Sequence, residues 1–138
     1  MTDPTSVVPE GFGPIFRSSP ALDALGGFSS RGSGSQLEIG LLVLTTHANA
    51  RGRLHGGVAA TLADTGVGYL LAYAIEPPQR LLTVSLTVDY VSSAGVGDWI
   101  DVRIDNADST GRLVFTAARL MRGEHAVARI RAVFSKVA

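Results

Sequence analysis

Between Val58 and Ile75 the chain reads Val-Ala-Ala-Thr-Leu-Ala-Asp-Thr-Gly-Val-Gly-Tyr-Leu-Leu-Ala-Tyr-Ala-Ile, with Asp64 as its only charged side chain. Two glycines, Gly56 and Gly57, precede it and Pro77-Pro78 follow it. That pattern predicts one helix from Gly56 to about Ile75, stopped by the prolines. A helix that is apolar on every side is buried on every side or crosses a membrane. The length touches the lower limit for a membrane span. Three features exclude the span: a carboxylate in the first half, no aromatic or basic anchors framing both ends, and strands of a soluble sheet immediately afterwards. The remaining solution is a helix wrapped by a curled sheet and capped by another subunit.

The sheet is visible in the rest of the chain. Gln36 to Thr46 reads as a strand with a partly continuous apolar run. After the helix, Leu82 to Val91 alternates, with Val84, Leu86, Val88 and Tyr90 on one face and Thr83, Ser85, Thr87 and Asp89 on the other. Trp99 to Asn106, Leu113 to Met121 and Ala126 to Val137 follow as further strands. Turns fall at Gly95-Val96-Gly97, Asp108 to Gly111 and Arg122-Gly123-Glu124. Strands joined by short turns pair antiparallel, and a single long helix must lie on one face of their sheet. The class is therefore α+β. Residues 1–35 are read as an N-terminal segment ahead of the main domain, 36–138. In that segment Ser19 caps a short helix begun by Pro20 and stopped by Gly26. Gly26 to Ser35 reads as a Gly/Ser-rich connector. Met1 to Glu10 shows no basic stretch followed by an apolar one, so no signal peptide is expected and the protein is assigned to the cytoplasm.

Composition narrows the partners. Twelve basic residues balance 12 acidic ones, which argues against non-specific binding to nucleic acid or anionic membrane. Hydrophobic residues make up 46% of the chain and charged residues only 17%, against about 25% charged in a typical soluble domain. The shortfall implies surface hidden against other copies; the alternative is a slightly apolar monomer. With no Cys, neither a disulfide framework nor a thiolate nucleophile is available. The three His and the acids form no metal-ligand pattern, and no Gly-x-Ser-x-Gly elbow is present.

The helix carries the candidate chemistry. A lone carboxylate among apolar residues is costly unless it is paired, so Asp64 is a site candidate; the plainer reading has it accepting hydrogen bonds from Thr61 or Thr65. Glycine is a poor helix former by roughly 1 kcal/mol. Its value at Gly56 and Gly57 is close approach of a ligand to free N–H groups at the positive end of the helix dipole, the makings of an oxyanion site. The plainer reading is a flexible loop end. Gly56 and Asp64 are eight residues apart, or about 12 Å along a helix. A water attacking a carbonyl must lie within about 3 Å of both its base and the reacting carbon. If both groups serve one carbonyl, Asp64 comes from a second chain, in a two-fold dimer with two sites.

With those residues in hand, the chain resembles the hot-dog-fold acyl-CoA thioesterases of the phenylacetate-pathway type, which include the human thioesterase superfamily members. The resemblance rests on Asn49-Ala50-Arg51-Gly52-Arg53-Leu54-His55-Gly56-Gly57, an acid nine residues after the His, and the later Thr83-Val84-Ser85-Leu86-Thr87-Val88-Asp89-Tyr90; it covers roughly Leu37 to Phe134. It implies a hot-dog fold, an antiparallel sheet curled round one central helix, and hydrolysis of acyl-CoA or related pantetheine thioesters. It implies that the Gly56 N–H polarises the thioester carbonyl and that Asp64 of the partner activates water or attacks directly. Thr83 would hold the water or Asp64, with Asn49 and His55 orienting the thioester and the leaving thiolate. Relatives carry Ser where this chain has Thr83, and the hydroxyl is kept. Coenzyme A enters only as part of the substrate, with no separate cofactor, and the assembly is a homodimer or homotetramer. Gly57 joins the substrate-binding set, as do Arg51 and Arg53, beside the site loop, for phosphate contacts. For His55 the alternative is a helix-capping role alone; His47 and His125 are read as loop residues. Two other functions stay open: a hot-dog dehydratase or hydratase, in which a His and an acid converge, and a non-catalytic acyl-CoA sensor.

Overall fold

A computed structural model describes residues 8–137, so most of the Met1–Glu10 stretch lies outside the described residues. The elements are β1 (Gly13–Pro14), α1 (Pro20–Leu25), β2 (Phe28–Arg31), β3 (Glu38–Leu42), α2 (Gly56–Ala72), β4 (Leu81–Tyr90), β5 (Trp99–Thr110), β6 (Leu113–Arg122) and β7 (His125–Lys136). All seven strands join one antiparallel sheet in the order β1-β2-β3-β5-β6-β7-β4. The sheet curls round α2, which gives the hot-dog architecture of an α+β fold.

α2 is seated by small residues. Ala59, Leu62, Ala63 and Val67 are buried against Ile39, Leu41, Ile100, Leu120, Ile130 and Phe134 of the sheet. A Cβ on Gly66 would stand 2.6 Å from Val102 Cγ2, so the closest approach of helix to sheet requires glycine there. The helix ends at Ala72, one turn before the expected Ile75. It is also not buried on every side within one chain. Gly57 is exposed, and Ala60, Thr61, Asp64, Thr65 and Gly68 are half-buried; at 3.6 residues per turn these form a stripe opposite the packed one.

Four further expectations change. Phe28–Arg31, inside the Gly/Ser connector, is strand β2, paired with Glu38–Leu41. Gly32 and Gly34, with φ of 74° and 56°, supply the turn between these strands, and Phe28 supplies the buried side chain. The strand expected over Gln36–Thr46 is regular only over Glu38–Leu42, with short 3₁₀ turns at Gly34–Gln36 and Thr45–His47. β5 runs on to Thr110, so the turn is at Gly111 (φ 60°) rather than spread over Asp108–Gly111. The simple alternation of β4 fails at one point: Thr83 pairs with Phe134 but Ser85 pairs with Val133, leaving Val84 as the extra residue of a bulge. A bulge reverses which face the preceding side chains take. Thr83 therefore joins Leu86, Val88 and Tyr90 on the helix side, not Ser85 and Thr87 on the outer one.

β4 is also an edge strand with exposed apolar residues near its start. Leu82 and Val84 are 61% and 59% exposed, and Phe115 and Leu113, two strands in, are 45% and 36% exposed. No helix among the described residues is long and apolar enough to cross a membrane.

Candidate active site

The N-terminal end of α2 is held by a closed loop. Asn49 Oδ1 accepts from the N–H groups of Arg51 (2.9 Å) and Arg53 (3.1 Å). The Asn49 N–H donates to the Arg53 carbonyl at 2.7 Å, and Gly52 turns the chain at φ 76°. Arg53 donates from Nε and Nη2 to Ser93 Oγ (3.2 and 2.9 Å), tying the loop to the strand edge. Beneath it, His47 is fully buried. Its Nδ1 accepts the Leu44 N–H at 2.9 Å, so Nε2 carries the proton and donates toward the carbonyls of Leu25 and Gly26 at 3.0 and 2.9 Å. His47 is thus a structural staple and not the loop histidine expected of it.

His55 caps the helix. Its Nδ1 accepts the Gly57 N–H at 2.9 Å, which leaves Nε2–H as a donor on an exposed ring. The Gly57 N–H is therefore spent inside the chain. The Gly56 N–H has no partner among the described residues and stands at the first turn, where such groups carry the positive end of the dipole. Tyr90 Oη donates to the Gly56 carbonyl at 2.5 Å, pinning this turn to β4. A concavity of about 510 Å³ opens here, lined by Asn49, Arg51, Arg53, Gly56 and Tyr90.

Asp64 lies two turns further on. Thr83 Oγ1 donates to Asp64 Oδ1 at 2.6 Å, a contact the β4 bulge makes possible. Thr61, the neighbour considered for this role, instead donates to the Gly57 carbonyl at 2.9 Å. Asp64 is half-buried, so its second oxygen is reachable. Asp64 and Thr83 line a separate concavity of about 530 Å³ that continues along α2 to Tyr69, Tyr73 and Arg17. Arg17 Nη1 donates to Tyr73 Oη at 3.1 Å, and this bond pushes the Arg17 guanidinium further above its ordinary value. His125 is an exposed residue at the start of β7.

One chain therefore groups the predicted residues in two sets. Asn49, Arg51, Arg53, His55, Gly56 and Gly57 stand together at the helix start. Asp64 and Thr83 stand together beyond its second turn. Among the described residues no group of three His, Asp or Glu could hold a metal ion.

Comparison with known proteins accounts for this pairing of loop and helix. Residues 51–128, which include the helix start, Asp64 and β4, match the Thioesterase superfamily. A provisionally named esterase of Pseudomonas aeruginosa is 47% identical over 130 residues, 92% of this chain and 96% of that protein. The chain belongs to the thioesterase superfamily. Solved structures agree with the superfamily fold: the PaaI protein of the E. coli phenylacetic acid degradation operon has a TM-score of 0.71 at 16% identity, over 87% of this chain and 86% of that one. A Bacillus halodurans protein solved with CoA has a TM-score of 0.65 at 22% identity, over 72% and 66%. Thioester hydrolysis is the chemistry this membership carries.

Three functional candidates of this superfamily member escaped the sequence reading. Tyr90 was legible as the last helix-side residue of the alternating strand, but nothing in the alternation says that its hydroxyl reaches Gly56. Arg17 and Tyr73 meet across 56 residues of chain, a separation with no local signal.

Proposed function

We propose that this protein hydrolyses acyl-CoA or a related pantetheine thioester at a site shared by two copies. The observation that carries the reading is the spacing of two half-sites on one open stripe of α2. The unpartnered Gly56 N–H and the Thr83-held Asp64 are about 12 Å apart on the helix, too far to act on one carbonyl. In a two-fold dimer the Gly56 turn of one copy faces Asp64 of the other, and both sites are complete. The apolar edge at Leu82 and Val84 supplies a surface for that pairing, and the outer patch at Leu113 and Phe115 supplies one for a tetramer. The kinship with a provisionally named esterase favours hydrolysis, and the CoA found with a protein of the same fold favours a thioester of CoA.

In this mechanism the thioester oxygen accepts the Gly56 N–H of one copy. Asp64 of the other takes a proton from water while the water oxygen bonds to the carbonyl carbon. The tetrahedral intermediate collapses, the C–S bond breaks, and the departing thiolate takes up a proton, giving acid and free CoA. Direct attack by Asp64 is the other route to the same products. Thr83 fixes one carboxylate oxygen and so aims the other. Asn49 shapes the loop through its carbonyl oxygen and keeps its NH₂ for the substrate. His55 offers Nε2–H, and Gly57 serves through its lack of a side chain. Arg51 and Arg53 lie where CoA phosphates would pass, with Arg53 partly committed to Ser93. The reaction needs no cofactor beyond the CoA of its substrate, and we assign it to the cytoplasm.

The test is thiol release from a panel of acyl-CoAs, followed with a thiol-trapping dye. Hydrolysis of at least one acyl-CoA is expected, with kcat/KM falling at least 100-fold in Asp64→Asn. A variant keeping more than about a tenth of wild-type kcat/KM, a loss under ~1.4 kcal/mol, removes Asp64 from the mechanism. Binding without thiol release would instead support a sensor, and reversible hydration of an enoyl thioester would support a hydratase.

A further inference from the structure

The concavity beside Asp64 has two ends of different chemistry. At one end Thr83 holds Asp64, where the thioester carbonyl must lie if the proposed reaction is correct. Tyr73 is nine residues further along the chain, about 13 Å down α2. Leu81 and Phe134 supply apolar surface to the wall, which Thr65, Gln79 and Arg80 also line. The floor is open at Gly68, where an added Cβ would only touch Phe134 at 3.4 Å.

The far end is made of hydrogen-bond donors. Arg17 spends one N–H on Tyr73 Oη and has four others. Because Tyr73 Oη accepts there, its own proton is left to point elsewhere. The Tyr69 hydroxyl makes no hydrogen bond among the described residues. Both tyrosine rings are braced edge-on against Phe16, with centroids 5.3 and 4.9 Å apart, so their hydroxyls are held in place before any ligand arrives. Among the described residues Asp64 is the only acid lining the concavity. A rigid group of donors with a guanidinium fits a planar anion.

The thioester joins two arms, and the two half-sites assign them. In the dimer the Gly56 turn of the partner, with its own Arg51 and Arg53, stands at one side of the carbonyl and receives CoA. The acyl group is left with the concavity toward Arg17. We infer that the preferred substrate is an acyl thioester with a carboxylate at its far end, held by Arg17 with the hydroxyls of Tyr69 and Tyr73. This rests on the thioester reading above.

Suberyl-CoA and octanoyl-CoA have the same chain length and differ in the terminal carboxylate, so their kcat/KM ratio isolates the contact. The wild type is expected to favour suberyl-CoA at least tenfold. In Arg17→Gln that ratio should fall about 10- to 100-fold, the loss of a charge-assisted bond, mainly through KM. Arg17→Lys should restore part of it. No preference for suberyl-CoA in the wild type overturns the inference while leaving thioester hydrolysis intact. So does a variant in which both substrates weaken together on CoA esters but not on the matching N-acetylcysteamine esters, which lack phosphates; Arg17 would then serve CoA. Failure to cleave any thioester overturns the proposed function, and this preference with it.

Discussion

The two flanks of α2 share small residues and do opposite things. On the packed flank, Ala59, Leu62, Ala63, Gly66 and Val67 are buried in the curve of the sheet. On the open flank, Gly57, Ala60, Thr61, Asp64, Thr65 and Gly68 are half-buried or exposed. The open flank holds the polar Thr61, Asp64 and Thr65, and the packed flank holds only apolar residues. Small residues occur on both and serve differently. Gly66 is small so that a β-strand can approach. Gly56 is small where Tyr90 of β4 packs on the first turn, and Gly68 is small where the concavity beside Asp64 opens. The contrast teaches that a helix with a nearly continuous apolar sequence need not be buried all round within one chain: one flank is seated in the sheet and the other lines the concavity beside Asp64.

Substitutions on the two flanks sharpen that contrast. Gly66→Ala places a methyl 2.6 Å from Val102 Cγ2, a stiff branched side chain. The expected cost is about 1–3 kcal/mol, read as a lower denaturant midpoint at unchanged slope. A variant as stable as wild type would mean that the sheet is not tightly seated on that flank. Thr83→Val on the facing strand should leave the fold standing and strike activity. It deletes the 2.6 Å bond to Asp64 and should lower kcat/KM about 10- to 100-fold. If kcat/KM drops less than twofold, the hydroxyl does not position the acid. The smallest effect belongs to Gly68→Ala on the open flank. The new methyl makes ordinary contact with Phe134, so better helix propensity should stabilise the chain by up to about 1 kcal/mol. A clear loss of stability there would make the open flank as crowded as the packed one.

Much of this was legible in the sequence, for reasons that differ by residue. An unbroken apolar run closed by Pro77-Pro78 revealed α2, and alternation between turn residues revealed the long strands. The eight-residue separation of Gly56 and Asp64 already placed them two turns apart, since helix rise is a constant of the backbone. β2 was hidden because Phe28–Arg31 is short and flanked by glycines, so its local composition reads as loop. The alternation of β4 put Thr83 on the wrong face, because a bulge depends on pairing with β7 and leaves no mark in the strand itself. His47 was read as a loop residue because its partners Leu25 and Gly26 lie more than 20 residues away and meet it only in the fold. The aromatic end of the concavity was illegible for the same reason: Phe16 and Arg17 reach Tyr69 and Tyr73 from the other end of the chain.

The shared site is tested most directly by mixing two inactive variants. Asp64→Asn removes the base. Gly56→Pro removes the proposed oxyanion donor itself, at the first helical position where proline is accepted, and His55 before it is already extended at φ −63°, ψ 133°. Each homodimer then carries two broken sites. A heterodimer carries both lesions in one site and neither in the other. Co-expression with two tags makes roughly half the dimers mixed, so roughly a quarter of wild-type activity should return if the sites act independently. Tandem purification of the doubly tagged dimer should raise this to roughly half. Verified heterodimers, folded and with activity still at background, would contradict the account, because base and donor would then serve one site from the same chain.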